Sequence, residues 1–230
     1  MSFLNSLSAF LNQQQVQKTT DSFLSDGKLI RIDRFLPLSE KQFPAVIAIH
    51  GSTGMAESFS DQPARMLAGN GYCVFLLHYF DRTGTGVATK QEMHDLFPDW
   101  MSVISDSIAY VNQLSQVQPD RVGLIGISLG AYLALSLGAT DSRVKAVVDF
   151  CGGLPEELAA QCAAMPPTLI LHGEKDESVP VAEAHKIERL MQRTNSAYEI
   201  KIYPGAGHFF SGPTMLDAAQ RTLAFLKKHL

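Results

Sequence analysis

Arg121-Val122-Gly123-Leu124-Ile125-Gly126-Ile127-Ser128-Leu129-Gly130 is the stretch on which the fold turns. It reads as an apolar strand ending at Ile127, then a serine between two glycines, then the segment Leu129 to Ala139, hydrophobic nearly all round. A helix of that composition is buried, here against a sheet. A serine on a tight strand-to-helix turn has a strained backbone, and side chains two residues to either side would collide. Gly126 and Gly130 remove those side chains. The turn is predicted to lift the Ser128 hydroxyl into the crevice at the carboxyl ends of the strands, where open α/β sheets bind ligands. An ordinary glycine-flanked turn would need neither the strand before nor the apolar helix after.

Outward from this point the chain alternates strands with helices. Ala45–His50, Tyr72–Tyr79, Val144–Phe150 and Thr168–His172 join Arg121–Ile127 as short runs apolar on both faces, as buried parallel strands are. Tyr198–Tyr203 alternates polar and apolar residues and reads as an edge strand, and a further strand or hairpin is expected over Lys28–Leu36. Apolar stripes mark helices: Trp100, Val103, Ile104, Ile108, Val111 and Leu114; then Val181, Ala184, Ile187, Leu190 and Met191 after Pro180. Leu216, Ala219, Leu223 and Leu226 mark the last. This order predicts one α/β domain over residues 1–230, with a mostly parallel sheet and helices on both faces. Asp81–Pro98 reads as a long polar loop bordering a site, and the short connection Phe150–Pro166 leaves no room for a large cap domain.

Composition narrows the function classes. The 230 residues are 46% hydrophobic and 18% charged, with a formal net charge of −4 and no basic run beyond Lys227-Lys228. A phosphate-tracking protein would carry a basic stripe, so nucleic acid is not an expected partner. Cys73, Cys151 and Cys162 are too few and scattered for a disulfide framework or zinc knuckle, and read as buried small residues in a reduced cytosol. Cys151 follows an apolar strand and is placed near the cleft. Phe3, Leu4, Leu7, Phe10 and Leu11 predict a short amphipathic helix within residues 1–20, packed on the domain rather than a membrane, since it lacks basic residues. No signal peptide and no membrane-spanning run is read, so the expected location is cytoplasmic.

Serine needs a base to remove its proton. Pro204-Gly205-Ala206-Gly207-His208 places a histidine on a glycine-rich loop after the last strand, and His208 is the candidate. The acid should lie between serine and histidine in chain order. His172-Gly173-Glu174-Lys175-Asp176-Glu177-Ser178-Val179-Pro180 follows a strand and precedes a helix, which points to Asp176. Glu174 and Glu177 read as solvated flanking residues, and Asp149 at the preceding strand end is the alternative acid. The oxyanion needs two backbone donors. One is the N–H of Leu129; the other is assigned to Ser52 in His50-Gly51-Ser52-Thr53-Gly54, with Thr53 open as well. His50 itself reads as structural. Tyr79, Phe80, residues of the 81–98 loop, Cys151 and Phe209 are the expected pocket walls. His78, His94, His172, His185 and His229 have no metal-ligand spacing, and Gly84-Thr85-Gly86 lacks the third glycine of a nucleotide loop, so no metal and no nucleotide is implied.

With these motifs in order, HGSTG after the first core strand, GISLGA at the turn, HGEKDESVP and GAGHFF, the chain from about Lys28 to Leu230 resembles the dienelactone hydrolase family of α/β-hydrolases. The resemblance implies a lidless hydrolase of esters or lactones, without cofactor, whose triad maps onto Ser128, Asp176 and His208. The sequence departs from that family in one respect. The family carries cysteine at the turn and a glutamate in the loop after the first core strand, where this chain has Ser128 and His50-Gly51-Ser52. Serine esterase or lactonase chemistry on a small molecule is therefore the first expectation. An acyltransferase, thioesterase or peptidase using the same triad is the alternative, and a non-catalytic binding module would have eroded the triad. Monomer and homodimer both remain open.

Overall fold

The computed structural model describes residues 15–55 and 61–230. Its strands are β1 (Val16–Ser25), β2 (Lys28–Pro37), β3 (Phe43–Ile49), β4 (Cys73–Leu77), β5 (Val117–Ile127), β6 (Val144–Phe150), β7 (Thr168–Gly173) and β8 (Tyr198–Tyr203). Its helices are α1 (Asp61–Gly69), α2 (Lys90–Asp95), α3 (Phe97–Val111), α4 (Leu129–Thr140), α5 (Glu156–Gln161), α6 (Ala182–Arg193) and α7 (Gly212–His229), with a 3₁₀ turn at Tyr79–Arg82.

The strands form one sheet in the order β1-β2-β4-β3-β5-β6-β7-β8. β1 and β2 pair antiparallel, as do β2 and β4, and the pairings from β4 onward are parallel. Strand order reverses between β3 and β5, and a crevice opens beyond their carboxyl ends. The loop after β3 and the turn after β5 meet there.

Side chains alternate across the sheet and feed two separate cores. Ala45, Ile47 and Ile49 of β3 pack with Trp100, Ile104 and Leu133 on the face covered by α3, α4 and α6. Val46 and Ala48 pack with Leu67, Phe225 and Leu226 on the face covered by α1 and α7. α4 is buried along most of its length, as its uniformly apolar sequence requires. Each fully buried leucine there contributes about 1.5–3 kcal/mol relative to exposure. The α/β-hydrolase architecture, a mostly parallel sheet covered on both faces, follows directly. Among the described residues no helix is long and apolar enough to cross a membrane.

Several expectations are corrected. The run Tyr72–Tyr79 leaves the sheet at Leu77, and Tyr79 opens the 3₁₀ turn. The hairpin partner of β2 is β1, turned by Asp26 and Gly27, both at positive φ (44° and 76°). That is the geometry a two-residue hairpin turn needs. A helix within residues 1–20 cannot extend past residue 15, because Val16 already pairs in β1; residues 1–14 lie outside the described residues. Asp81–Pro98 is not a plain loop: Thr89 caps α2, accepting from the Glu92 N–H while Glu92 receives the Thr89 N–H. In α7 the buried face is Ala218, Thr222, Phe225 and Leu226, while Leu216 is exposed, because burying the larger Phe225 ring sets the helix rotation.

Candidate active site

β5 ends at Ile127, α4 begins at Leu129, and Ser128 between them has φ 54° and ψ −117°. Such a backbone is costly for a non-glycine residue and persists only where the surroundings fix it. The surroundings do. Ser128 N–H donates to the Phe150 carbonyl at 2.9 Å, tying the turn to the end of β6. A Cβ on Gly126 would collide with Ala131 N at 2.5 Å, and one on Gly130 with the His50 carbonyl oxygen at 2.5 Å. The turn is therefore wedged between its own helix and the end of β3.

Asp176 and His208 come from the loops after β7 and β8, which are laced together. Lys175 N–H donates to the Ala206 carbonyl at 2.8 Å, Glu174 N–H to the Tyr203 carbonyl at 3.0 Å, and Gly205 N–H to the Glu174 carboxylate at 2.9 Å. Glu174 is thus a loop fastener, not merely solvated. His208 Nδ1 lies 2.7 Å from Asp176 Oδ2. Asp176 Oδ1 receives the N–H groups of Ser178 and Val179, each at 2.9 Å. Burial alone would raise this carboxyl, but the Val179 N–H, His208 and the Ser178 N–H outweigh it and hold Asp176 below the usual carboxylate range. The carboxylate can only accept, so His208 carries its proton on Nδ1 and leaves Nε2 bare.

Asp149, the alternative acid, is fully buried and receives Gly152 N–H at 2.8 Å on one oxygen, while the other has no partner among the described residues. Burial pushes its carboxyl up to about 7, against the Gly152 hydrogen bond. His208 is paired with Asp176 instead.

Ser128 and His208 border one cavity of about 920 Å³, together with Ser52, Thr53 and Leu129. Leu129 opens α4 at the cavity, and the first N–H groups of a helix lack intrahelical acceptors and form its positive end. The Gly51–Gly54 loop is braced by the 81–98 segment: Ala88 N–H donates to the Ser52 carbonyl at 2.8 Å, and a Cβ on Gly54 would lie 3.0 Å from the Gly86 carbonyl oxygen. His50 is buried behind the loop, its ring stacked on Tyr79 at 4.2 Å, with burial pushing its pKa down to about 4. It is neutral and structural.

Of the expected pocket walls, Phe209 lines the cavity, and Tyr79, Phe80 and Cys151 do not. Tyr79 and Phe80 pack inward against Trp100, because the 3₁₀ turn rotates them into the core. Cys151 is buried, and burial raises its thiol pKa. The 81–98 segment lines the cavity as expected, through Lys90, Met93, His94, Phe97 and Pro98, and the walls that sequence reasoning missed are Pro155, Leu158 and Tyr132. His94, read as structural or surface, borders the cavity as well.

Cys151, His172 and Asp176 each bring one donor atom within 4.8 Å of the others. The set suits a metal poorly. A ligating thiol must ionise, which burial opposes here, and Asp176 is already engaged by two backbone N–H groups and His208.

Comparison with known proteins agrees with this architecture. The profile of the dienelactone hydrolase family matches residues 32–228. A candidate carboxymethylenebutenolidase of Synechocystis sp. is 30% identical over 196 residues, covering 76% of this chain and 78% of that protein. Another, of Methylorubrum extorquens, is 25% identical over 207 residues, covering 81% and 69%. A candidate dienelactone hydrolase from Klebsiella pneumoniae superposes with a TM-score of 0.82 at 19% identity, covering 93% of this chain and 99% of that one. Nearly the whole described chain is accounted for by that match, and the chain belongs to the dienelactone hydrolase family, a family of hydrolases.

Proposed function

We propose that this hydrolase cleaves carboxylic esters or lactones through a serine acyl-enzyme, with Ser128 as nucleophile, His208 as general base and Asp176 as orienting acid. The observation that carries the reading is the 2.7 Å contact between His208 Nδ1 and Asp176 Oδ2, with His208 and the strained Ser128 on the same cavity. It leaves an unprotonated Nε2 for the serine proton.

Ser128 Oγ attacks the acyl carbon while His208 Nε2 takes its proton. Negative charge develops on the carbonyl oxygen, and the N–H groups of Leu129 and Ser52 are the donors for it. Collapse expels the alcohol, which leaves with the proton from His208. Water then loses a proton to His208 and attacks the acyl-enzyme, releasing the acid and restoring the Ser128 hydroxyl. Asp176 stays ionised throughout and stabilises the imidazolium.

The test is intact mass after incubation with an organophosphonate probe of serine hydrolases. One adduct on the wild type and none on Ser128→Ala is expected. A folded wild type that takes no adduct would sink the reading. A panel of ester, thioester and amide substrates separates esterase from the thioesterase, acyltransferase or peptidase use of the same residues.

A further inference from the structure

We propose that the substrate is an uncharged ester with an apolar acyl group, and that this cavity rejects acyl chains ending in a carboxylate. The proposal rests on Ser128 acting as the nucleophile.

Two chain segments make the apolar walls. Met93 of α2 and Phe97 of α3 stand on one side, and Pro155 and Leu158, at and within the start of α5, on the other. Both segments interrupt what would otherwise be plain connections, and both bring apolar side chains to the cavity. At the rim Phe209 is 69% exposed, its ring set edge-on to His208 with centroids 5.0 Å apart. Beyond that edge contact most of the Phe209 ring faces water at the cavity. It offers an apolar surface to the group that departs with the His208 proton. The volume of about 920 Å³ lies near the upper end of small-molecule sites, roomy enough for more than an acetyl group.

Charge points the same way. Among the described lining residues there is no arginine, the one lysine is Lys90, and Glu157 and Glu177 oppose it. The arginine of the adjoining segment, Arg82, is held by Asp26 and lies 3.7 Å from Asp99. A carboxylate brought into this space would surrender its hydration without meeting a guanidinium fork, and would face two like charges. Among the other polar lining residues, which include Thr53, His94 and Ser178, one donor is neutral. Tyr132, one helical turn beyond Ser128, lines the cavity, and burial pushes its phenol up to about 12, so it remains a protonated donor.

The experiment compares kcat/KM of the full chain for p-nitrophenyl acetate, p-nitrophenyl hexanoate and the p-nitrophenyl monoester of adipic acid. The last has the hexanoate acyl length with a terminal carboxylate. Hexanoate should exceed the adipate monoester by at least about tenfold, as uncompensated like charge at a site costs selectively. It should also exceed acetate. In the double variant Glu157→Gln/Glu177→Gln, the gap between the two six-carbon esters should narrow several-fold, roughly as expected for removing partly screened charges. Equal or faster turnover of the adipate monoester, or of acetate, by protein that labels at Ser128 would overturn the substrate class and leave the serine-hydrolase reading standing. Neither labelling nor turnover would overturn both.

Discussion

His172 Nε2 lies 3.4 Å from Asp176 Oδ2, the same oxygen that His208 Nδ1 meets at 2.7 Å from the other side. His172 Nε2 is also 2.9 Å from the Val179 carbonyl, which can only accept, so the proton sits on Nε2 and is donated to that carbonyl, with the Asp176 carboxylate alongside. Burial lowers the His172 pKa and keeps the ring neutral. One carboxylate thus has two histidine neighbours: His208 faces the cavity, and His172 is locked in the core.

From this arrangement His172 is a positioning residue for Asp176. Removing its N–H in His172→Ala should make the carboxylate more basic and strengthen its hold on the His208 imidazolium. The acid limb of the kcat/KM profile should then move to higher pH, by a few tenths of a unit to about one unit, with kcat falling about tenfold. His172→Gln, which restores an amide N–H, should recover much of both. An unchanged acid limb in a folded His172→Ala protein would rule out this role.

Asp149 gives the protein a stability that declines as pH rises. Its folded pKa is about 7 and its unfolded pKa near the ordinary 3.8, so between them the folded state keeps a proton that the unfolded state has lost. Stability is then fully present below pH ~4, falls through the interval up to ~7 and levels above it, by at most about 4 kcal/mol at 1.36 kcal/mol per unit. In Asp149→Asn that slope should vanish while the Gly152 hydrogen bond is kept. Denaturant melts of both proteins from pH 4.5 to 8 would test it, and parallel curves would assign the slope to other groups.

Gly130→Ala should cost far more than an alanine at an open glycine. Its Cβ would press into the backbone carbonyls of Ile49 and His50, neither of which can swing away. A loss of more than about 3 kcal/mol, or failure to fold, is expected from overpacking at a rigid backbone contact. Gly84→Ala meets no atom within 4 Å and bears only its positive φ of 72°, so about 1 kcal/mol is expected there. Thermal unfolding of the two variants decides; similar losses would mean the turn relaxes easily.

Trp100, the single tryptophan, is fully buried, donates Nε1–H to Thr83 Oγ1 at 3.0 Å and packs on Phe80 at 4.9 Å between ring centroids. Trp100→Phe should lose the hydrogen bond and leave a void, at roughly 1–3 kcal/mol. In the wild type its fluorescence should be blue-shifted and change in a single transition with far-UV circular dichroism. A tryptophan transition well ahead of the sheet would show that the 81–98 segment melts separately.

The sheet and the turn were legible in the sequence because strands apolar on both faces and a glycine-flanked serine leave few physical alternatives. The pairing of His208 with Asp176 was legible from order along the chain. β1 was not, since Lys18–Ser22 are exposed and polar and show no apolar alternation to mark a strand. The inward turn of Tyr79 and Phe80 was hidden because a 3₁₀ turn lacks the periodicity of either regular element. The wall at Pro155 and Leu158 was hidden because α5 is only 6 residues long, too short for a stripe to declare itself.

The brace between Ala88 and Ser52 makes recognition and rate mechanically inseparable. Any insertion or substitution in the 81–98 segment that reshapes the wall for another acyl group also tugs the loop whose N–H is proposed to meet the developing charge. Drift in what the pocket accepts will therefore carry a change in how fast the bond breaks. Variants selected for a new substrate should regain speed through second substitutions clustered in Gly51–Gly54, rather than at the serine or the histidine.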